Sequence, residues 1–487
     1  MYCGYVTTLK NVRPHPNADK MKLADCFGNT VCIGLDAQEH DIVLYFPTDG
    51  QLSEEYCSYN DLVRRKDENG NPAGGYLDPE KRNVKAIRLR GEKSDGLIMP
   101  LSSLAFCYES NSPDVGVMNL SVGDQITVLN GHEICKKYIP HSKTHSATGA
   151  SVNKTRKRKD PVAPLFAEHA DTEQLAYNLS AFKSGDEVEI TLKMHGTSQR
   201  TGYLPVFKGY KKDFWGKIVS CVKPKSTFAK NLLEKAERLA TPIYDWGGVS
   251  GTRRVVLEDY TGGFYGSNEF REQHSKVFDG KLMKGETVYY EVVGFTTTGQ
   301  PIMSTASNKK LNDKEFIKQY GEETVFSYGC SPGGTAVYSK GECGAIVIEE
   351  GLPQSDIYVY RMTMTNEDGF IVEYTPDFMR YRCEQMGVKT VPVLWKGTIP
   401  EHPGSAEDPT ITAGEWIKNV AERFYDGPDP VGKTHVREGV VVRILNRPKF
   451  TAYKHKNFAF KVLEGIIKDT AVAPDMEECQ EVNNEEI

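Results

Sequence analysis

The sequence predicts an α+β protein with a small β-rich domain at its N-terminus and a larger mixed domain built on antiparallel sheets. Three observations predict it. Short runs of alternating polar and apolar residues, separated by Gly, Asn, Asp and Pro turns, fill residues 1–130. A segment from Lys136 to Lys159 then carries eight Lys or Arg residues, no acidic ones and little that could enter a core. Beyond Pro164, strand-like runs mix with helical stretches. At 487 residues the chain is too long for one core. Its domains are read as 1–130, a flexible basic linker 131–163, a mixed domain 164–470 and an acidic, disordered tail 471–487.

Net charge is -6, so overall charge does not predict nucleic-acid binding and any basic surface must be local. Eleven cysteines are scattered singly without a C-x-x-C pair, which argues against a zinc ribbon and fits a reducing compartment. No apolar run approaches membrane-spanning length, and Met1-Tyr2-Cys3-Gly4-Tyr5 lacks the character of a signal peptide. The expectation is a monomeric cytoplasmic protein with no membrane association.

In the first domain, the runs Asn29 to Ile33, Asp41 to Phe46, Val84 to Leu89 and Asp124 to Val128 suggest a barrel or sandwich. Arg88 and Arg90 are expected on one strand face, followed by a loop punctuated by Gly91 and Gly96. That run reads either as a phosphate-backbone contact on an OB-type barrel or as a solvated face with a tight turn. In the linker, Lys154, Arg156, Lys157, Arg158 and Lys159 read as a grip on nucleic acid, a nuclear localisation signal or a solvated run. In the larger domain, Ser226 to Ala240 and Gly414 to Phe424 are expected helices. Between Phe207 and Phe228, Lys208, Lys211, Lys212 and Lys217 interleave with Tyr210, Phe214 and Trp215. Such a stretch can hold a single strand by charge and stacking, or form an amphipathic surface insertion.

The chemistry centres on Lys193-Met194-His195-Gly196-Thr197-Ser198. Upstream, Glu187-Val188-Glu189-Ile190-Thr191-Leu192 alternates with period two, so Val188, Ile190 and Leu192 face a core and Lys193 falls on the opposite face as an exposed amine at the strand's end. Gly196 is expected to let the backbone turn and approach a ligand. Three later strands carry polar residues where burial is expected. Tyr289 and Glu291 share a face, Glu438 stands at the mouth of the apolar run Val440 to Val442, and Lys454 and Lys456 stand two apart. Arg253 and Arg254 add a cationic pair.

Together and in this order, these residues resemble the five ordered motifs of the covalent nucleotidyltransferases, the ligases and capping enzymes. Lys193-x-His195-Gly196-Thr197-Ser198 is similar to motif I in the histidine form found in RNA ligase 2-like enzymes, where most DNA ligases and capping enzymes have aspartate. Arg253 or Arg254 resembles motif Ia, Tyr289 to Gly294 motif III, Tyr358 to Arg361 motif IIIa, Glu438 to Arg443 motif IV, and Lys454 with Lys456 motif V. The layout, with Arg88-Leu89-Arg90-Gly91 in the N-terminal domain, is similar to the RNA ligase 5 family, in which an OB domain precedes the transferase domain. Departures are the insertion between motifs I and Ia, the long span between motifs III and IV, and His195 itself.

The resemblance implies ATP-dependent joining of an RNA 3′-hydroxyl to a 5′-phosphate, at nicks in duplexes, through a lysyl-AMP intermediate on Lys193 and an adenylylated 5′ end. A free lysine with pKa about 10.4 is neutral roughly once in 2,500 at pH 7, which adds about 4.6 kcal/mol to the first barrier. Lys454, Lys456, an arginine of motif Ia and a bound metal are expected to surround Lys193 with positive charge and so favour its neutral form. Mg²⁺ or Mn²⁺ is implied, with Glu438 the first and Glu291 the second candidate to hold its waters. His195 would orient the nucleophile, the phosphate or a metal-bound water. Tyr289 would stack on adenine and Glu258 would accept from the ribose. Alternatives are a capping-type guanylyltransferase, a DNA ligase, or a non-catalytic nucleic-acid-binding protein with a degenerate transferase domain.

Overall fold

The computed structural model describes residues 2–66, 72–108, 120–138, 161–222, 227–258, 260, 268–303, 318, 326–334, 337–340, 346–349, 351–404, 410–432 and 435–461. The cluster Lys154, Arg156, Lys157, Arg158 and Lys159 and the tail from 471 lie outside the described residues. Two compact units emerge, Met1–Pro140 with Lys456–Pro474, and His141–His455 with Asp475–Ile487.

In the first unit, a four-stranded sheet runs in the order Leu97–Pro100, Ile42–Phe46, Gly4–Thr8, Gln125–Ile126, and a three-stranded sheet joins Lys10–Pro14, Lys22–Cys26 and Asn29–Ile33. Val6, Leu44, Phe46, Leu52, Tyr56 and Leu104 fill its core. Among the described residues these sheets do not close into a barrel. Arg88 belongs to the strand Ala86–Leu89, whereas Arg90 lies beyond its end. Arg90 and Gly91 are the two turn residues before Glu92–Asp95, with φ of 46° and 94°. Both positive values suit a two-residue hairpin turn whose twist matches its strands. The alternation rule fails there because the turn interrupts it. Lys461 returns to this unit and pairs with Asp95 at 2.6 Å, with both side chains largely buried.

The second unit is built on two sheets. One has five strands in the order Glu173–Gln174, Thr451–Lys456, Gly439–Ile444, Glu187–Lys193, Val393–Thr398. Val188, Ile190, Val440 and Val442 pack with Ile417, Val420 and Ala421 of the helix Ala413–Glu422, which starts on a Thr412/Glu415 capping box. The other sheet runs Val256–Leu257, Pro242–Gly251, Thr197–Tyr210, Glu286–Gly294, Ser355–Thr365, Ile371–Glu373, with Lys389–Thr390 beside Ser355–Thr365. Val288, Tyr290, Val292 and Val359 of this sheet pack with Phe270 of the helix Glu269–Lys276 and with Met379 and Cys383 of Pro376–Met386. Most pairings in both sheets are antiparallel.

The expected helices appear as Thr227–Leu239 and Ala413–Glu422. The Lys/aromatic stretch divides between the strand Thr197–Tyr210 and a short helix, Phe214–Cys221, with Phe214 68% exposed. Among the described residues no helix is long and apolar enough to cross a membrane.

Candidate active site

Lys193 is the last residue of a strand in the five-stranded sheet, and Thr197 is the first of a strand in the other sheet. Met194, His195 and Gly196 are therefore the crossover from one sheet to the other, and His195 and Gly196 are held by different elements.

Val188, Ile190 and Leu192 are buried as the alternation requires. The opposite face is not open water, however. Glu189 on that face is 3% exposed and paired with Arg380 at 2.8 Å, and the Lys193 side chain is only 24% exposed. Lys193 pairs across the sheet with Gly439, which brings the preceding Glu438 alongside it. Its Nζ lies 2.7 Å from Oε1 of Glu438, a carboxylate that is itself 3% exposed. This corrects one expectation, because the amine is not freely exposed, and it adds an anionic partner beside the amine. Lys454 and Lys456 lie on Thr451–Lys456, two places from the Lys193 strand in the sheet order. Both are drawn in from solvent, Lys456 to 9% exposure.

The His195 ring nitrogen Nδ1 lies 3.5 Å from Glu438 Oε2, so one carboxylate faces both the lysine and the histidine of the motif. The His195 backbone N–H donates to the Tyr328 hydroxyl at 2.7 Å. Gly196 N–H donates to Glu291 Oε1 at 3.1 Å. A Cβ on Gly196 would sit 2.3 Å from the carbonyl oxygen of Val292. This glycine thus allows a close approach to the neighbouring strand's backbone.

Arg271, fully buried on the helix Glu269–Lys276, donates to the Ser198 carbonyl at 3.0 Å and to Thr197 Oγ1 at 2.6 Å. The hydroxyls of Ser198 and Tyr360 are 2.8 Å apart. Arg200, 1% exposed, donates to the carbonyls of Phe166, Thr252 and Arg254 and stacks on the Phe166 ring at 4.2 Å. It thereby fixes the turn that carries Arg253 and Arg254, both of which pair with Asp171 at 3.2 Å.

Tyr289 is fully buried, donates its hydroxyl to the Ala167 carbonyl at 3.2 Å, and carries the Arg361 guanidinium 4.5 Å from its ring centroid. The expectation of an open ring face for adenine meets an arginine there. Arg361 is held by Glu373 through Nε at 3.0 Å and lies 4.9 Å from the Phe450 ring. His169 contacts both Tyr289 and Tyr360, its N–H donates to the Arg253 carbonyl, and burial together with Arg253, Arg361 and Arg200 holds its imidazole well below the usual pKa. Glu258 is exposed, just past the edge strand Val256–Leu257.

The fold thus gathers Lys193, His195, Glu291 and Glu438 around the crossover. Tyr289, Arg253 and Arg254 form a neighbouring group joined through His169. Arg88 and Arg90 belong to the first unit. Sequence reasoning missed Tyr328, Arg271 and Arg200 as supports. The one signal that could have found Arg200 is the run Thr197 to Thr201, five consecutive polar residues that open a strand and are all buried. The donor set suits a hard cation that keeps most of its waters. Two carboxylates, Glu438 and Glu291, reach the crossover, and among the described residues no group of three or more His, Cys, Asp or Glu assembles into a closed metal cage.

No protein-family model and no curated protein matches the chain. Solved structures do. A mutant of Naegleria gruberi RNA ligase with ATP and Mn shares 16% identity and a TM-score of 0.50, with 96% of this chain and 98% of that chain covered. A mutant of the same ligase with AMP and Mn gives 16% identity, 0.50, 95% and 98%, and an apo mutant gives the same four values. This chain shares the fold of that RNA ligase along nearly all of its length.

Proposed function

We propose that this protein is an ATP-dependent RNA ligase that joins a 3′-hydroxyl to a 5′-phosphate, with Lys193 as the nucleophile. The observation that carries the reading is the Lys193 amine, 2.7 Å from the buried Glu438 carboxylate on the crossover between two sheets. The fold shared with an RNA ligase supports it.

In the first step the Lys193 nitrogen forms a bond to the ATP α-phosphorus while the bond to pyrophosphate breaks. Before that, the ammonium must give up a proton, and Glu438 is within hydrogen-bond reach to receive it. AMP then passes to the RNA 5′-phosphate, and the 3′-hydroxyl displaces it. Lys454 and Lys456 are proposed to balance charge developing on the transferred phosphoryl group. A Mg²⁺ or Mn²⁺ ion held through waters by Glu438 and Glu291 would neutralise triphosphate charge. His195, held by Glu438, orients the amine or a metal-bound water. Tyr289 with its Arg361 cover, Arg253, Arg254 and Glu258 are proposed to meet the nucleotide.

The first unit is proposed as an OB-type domain that, with Arg88, Arg90 and the basic run Lys154 to Lys159, grips the RNA backbone and makes binding salt-sensitive. Nicked duplex RNA is the proposed substrate and a monomer the proposed state. The test is transfer of label from α-labelled ATP onto the protein in the presence of Mg²⁺, followed by sealing of nicked and single-stranded RNA and DNA. Labelling by ATP, abolished in Lys193→Ala, is expected. Labelling by GTP alone would favour a capping-type enzyme. Equal labelling of Lys193→Ala would remove Lys193 as the nucleophile.

A further inference from the structure

Phe326 and Tyr328 meet the crossover, and Gly432 and His435 back them; none of these residues lies in a motif. The Tyr328 hydroxyl accepts the His195 backbone N–H at 2.7 Å, with His195 8% and Tyr328 2% exposed. The Phe326 ring meets the His195 ring edge-on at 4.9 Å. On the other side, the His435 imidazole lies 4.5 Å from Phe326 and 4.6 Å from Tyr328. His435 is 2% exposed and its Nδ1 is bonded to the Val436 carbonyl at 2.9 Å, so this backing is rigid. A Cβ on Gly432 would lie 3.1 Å from Tyr328 Cα, which shows how closely the loop is applied.

We infer that Tyr328 is a positioning residue for the Lys193 crossover: its hydroxyl fixes the peptide of His195, and His435 and Phe326 hold that hydroxyl and the His195 ring in register. The physical reason is an obligation. The crossover has left one sheet and not yet entered the next, so its N–H groups have no ladder partner and each needs one supplied from elsewhere. Glu291 supplies it for Gly196 and Tyr328 for His195. Without the hydroxyl, the buried N–H loses this acceptor and the peptide is freer to rotate, which swings the Lys193 amine relative to Glu438. The consequence for rate rests on the proposed nucleotidyl transfer; the consequence for backbone protection does not.

The test compares Tyr328→Phe, which deletes only the hydroxyl, with Tyr56→Phe. Tyr56 is also fully buried and gives its hydroxyl to Ser103 Oγ at 2.7 Å in the core of the first unit, outside every motif. Amide hydrogen exchange over residues 193–198 should be roughly tenfold faster in Tyr328→Phe, the value of about one hydrogen bond. Single-turnover labelling by α-labelled ATP should slow by a similar factor, with unchanged half-saturation by ATP and an unchanged fraction of protein labelled. Tyr56→Phe should alter neither exchange over residues 193–198 nor labelling, whatever its effect on melting temperature. Parental exchange and rate in Tyr328→Phe, the same changes in Tyr56→Phe, or a Tyr328→Phe protein that fails to fold while Tyr56→Phe folds would each overturn the inference. If the parent takes no label, the ligase reading falls while the exchange comparison still decides the role of Tyr328.

Discussion

Gly196→Ala is the sharpest perturbation of the crossover. The added Cβ would stand 2.3 Å from the Val292 carbonyl oxygen, 2.9 Å from Val293 Cγ1 and 3.0 Å from Glu291 Cγ. Carbon and oxygen in contact need roughly 1 Å more than the first of these distances. The strand that carries Val292 cannot yield, because it lies within the larger sheet, between Thr197–Tyr210 and Ser355–Thr365, and is buried on both faces. The crossover must therefore move by roughly 1 Å, and with it the Glu291 bond to Gly196 and the Lys193 amine. A displacement of that size at reacting atoms costs about 100-fold, or about 2.7 kcal/mol of barrier. The assay is single-turnover labelling by α-labelled ATP, with Gly34→Ala as the control, since a Cβ on Gly34 meets nothing within 4 Å. A Gly196→Ala protein that labels within threefold of the parent would refute the claim that contact with Val292 sets the position of Lys193.

Two further predictions concern stability. Glu286 is fully buried and bonded to Arg382 at 2.8 Å, to Tyr374 and to the Met283 N–H, and these donors hold its carboxyl below the usual range despite burial. Arg382→Leu should cost about 3–5 kcal/mol at pH 7, because an unpaired charge would be left in the core. A lowered folded-state pKa contributes stability above the ordinary glutamate range that is lost as pH falls, so the gap between variant and parent in urea unfolding should narrow towards pH 3. Asp429 has the opposite sign: burial raises its carboxyl to about 6. Between about pH 4 and 6 the unfolded chain gives up this proton before the folded one does, so the group removes stability as pH rises, on the order of 3 kcal/mol in all. Asp429→Asn keeps an acceptor for the Val431 and Gly432 N–H groups and should melt higher than the parent above pH 6 but no higher near pH 4.

What was legible in the chain is what local periodicity encodes. Val188, Ile190 and Leu192 announced a strand with Lys193 at its end, and Val440 and Val442 announced the buried neighbour that brings Glu438 beside it. The character of the pocket was not legible. Lys193 looked like an amine awaiting cations because the sequence lists charges without distances, and the nearest partner is a carboxylate 245 positions away in the chain. Arg271 reads as a surface residue of a polar helix until the turn of that helix aims it at Thr197 and Ser198. Tyr328 has no periodic signal at all. Its meaning comes only from the N–H that the crossover leaves without a ladder partner.

The pairing of Asp95 with Lys461 spans 366 residues. At a synthesis rate of roughly 5–20 residues per second, Asp95 waits about 20–70 s for its cation. The intervening chain includes the whole of the second unit's 141–455 stretch, which by then has all of its sheet strands in hand. A fragment ending at Pro140 would carry Asp95 without the ammonium that neutralises it. The unit encoded first is thus completed only after every strand of the second.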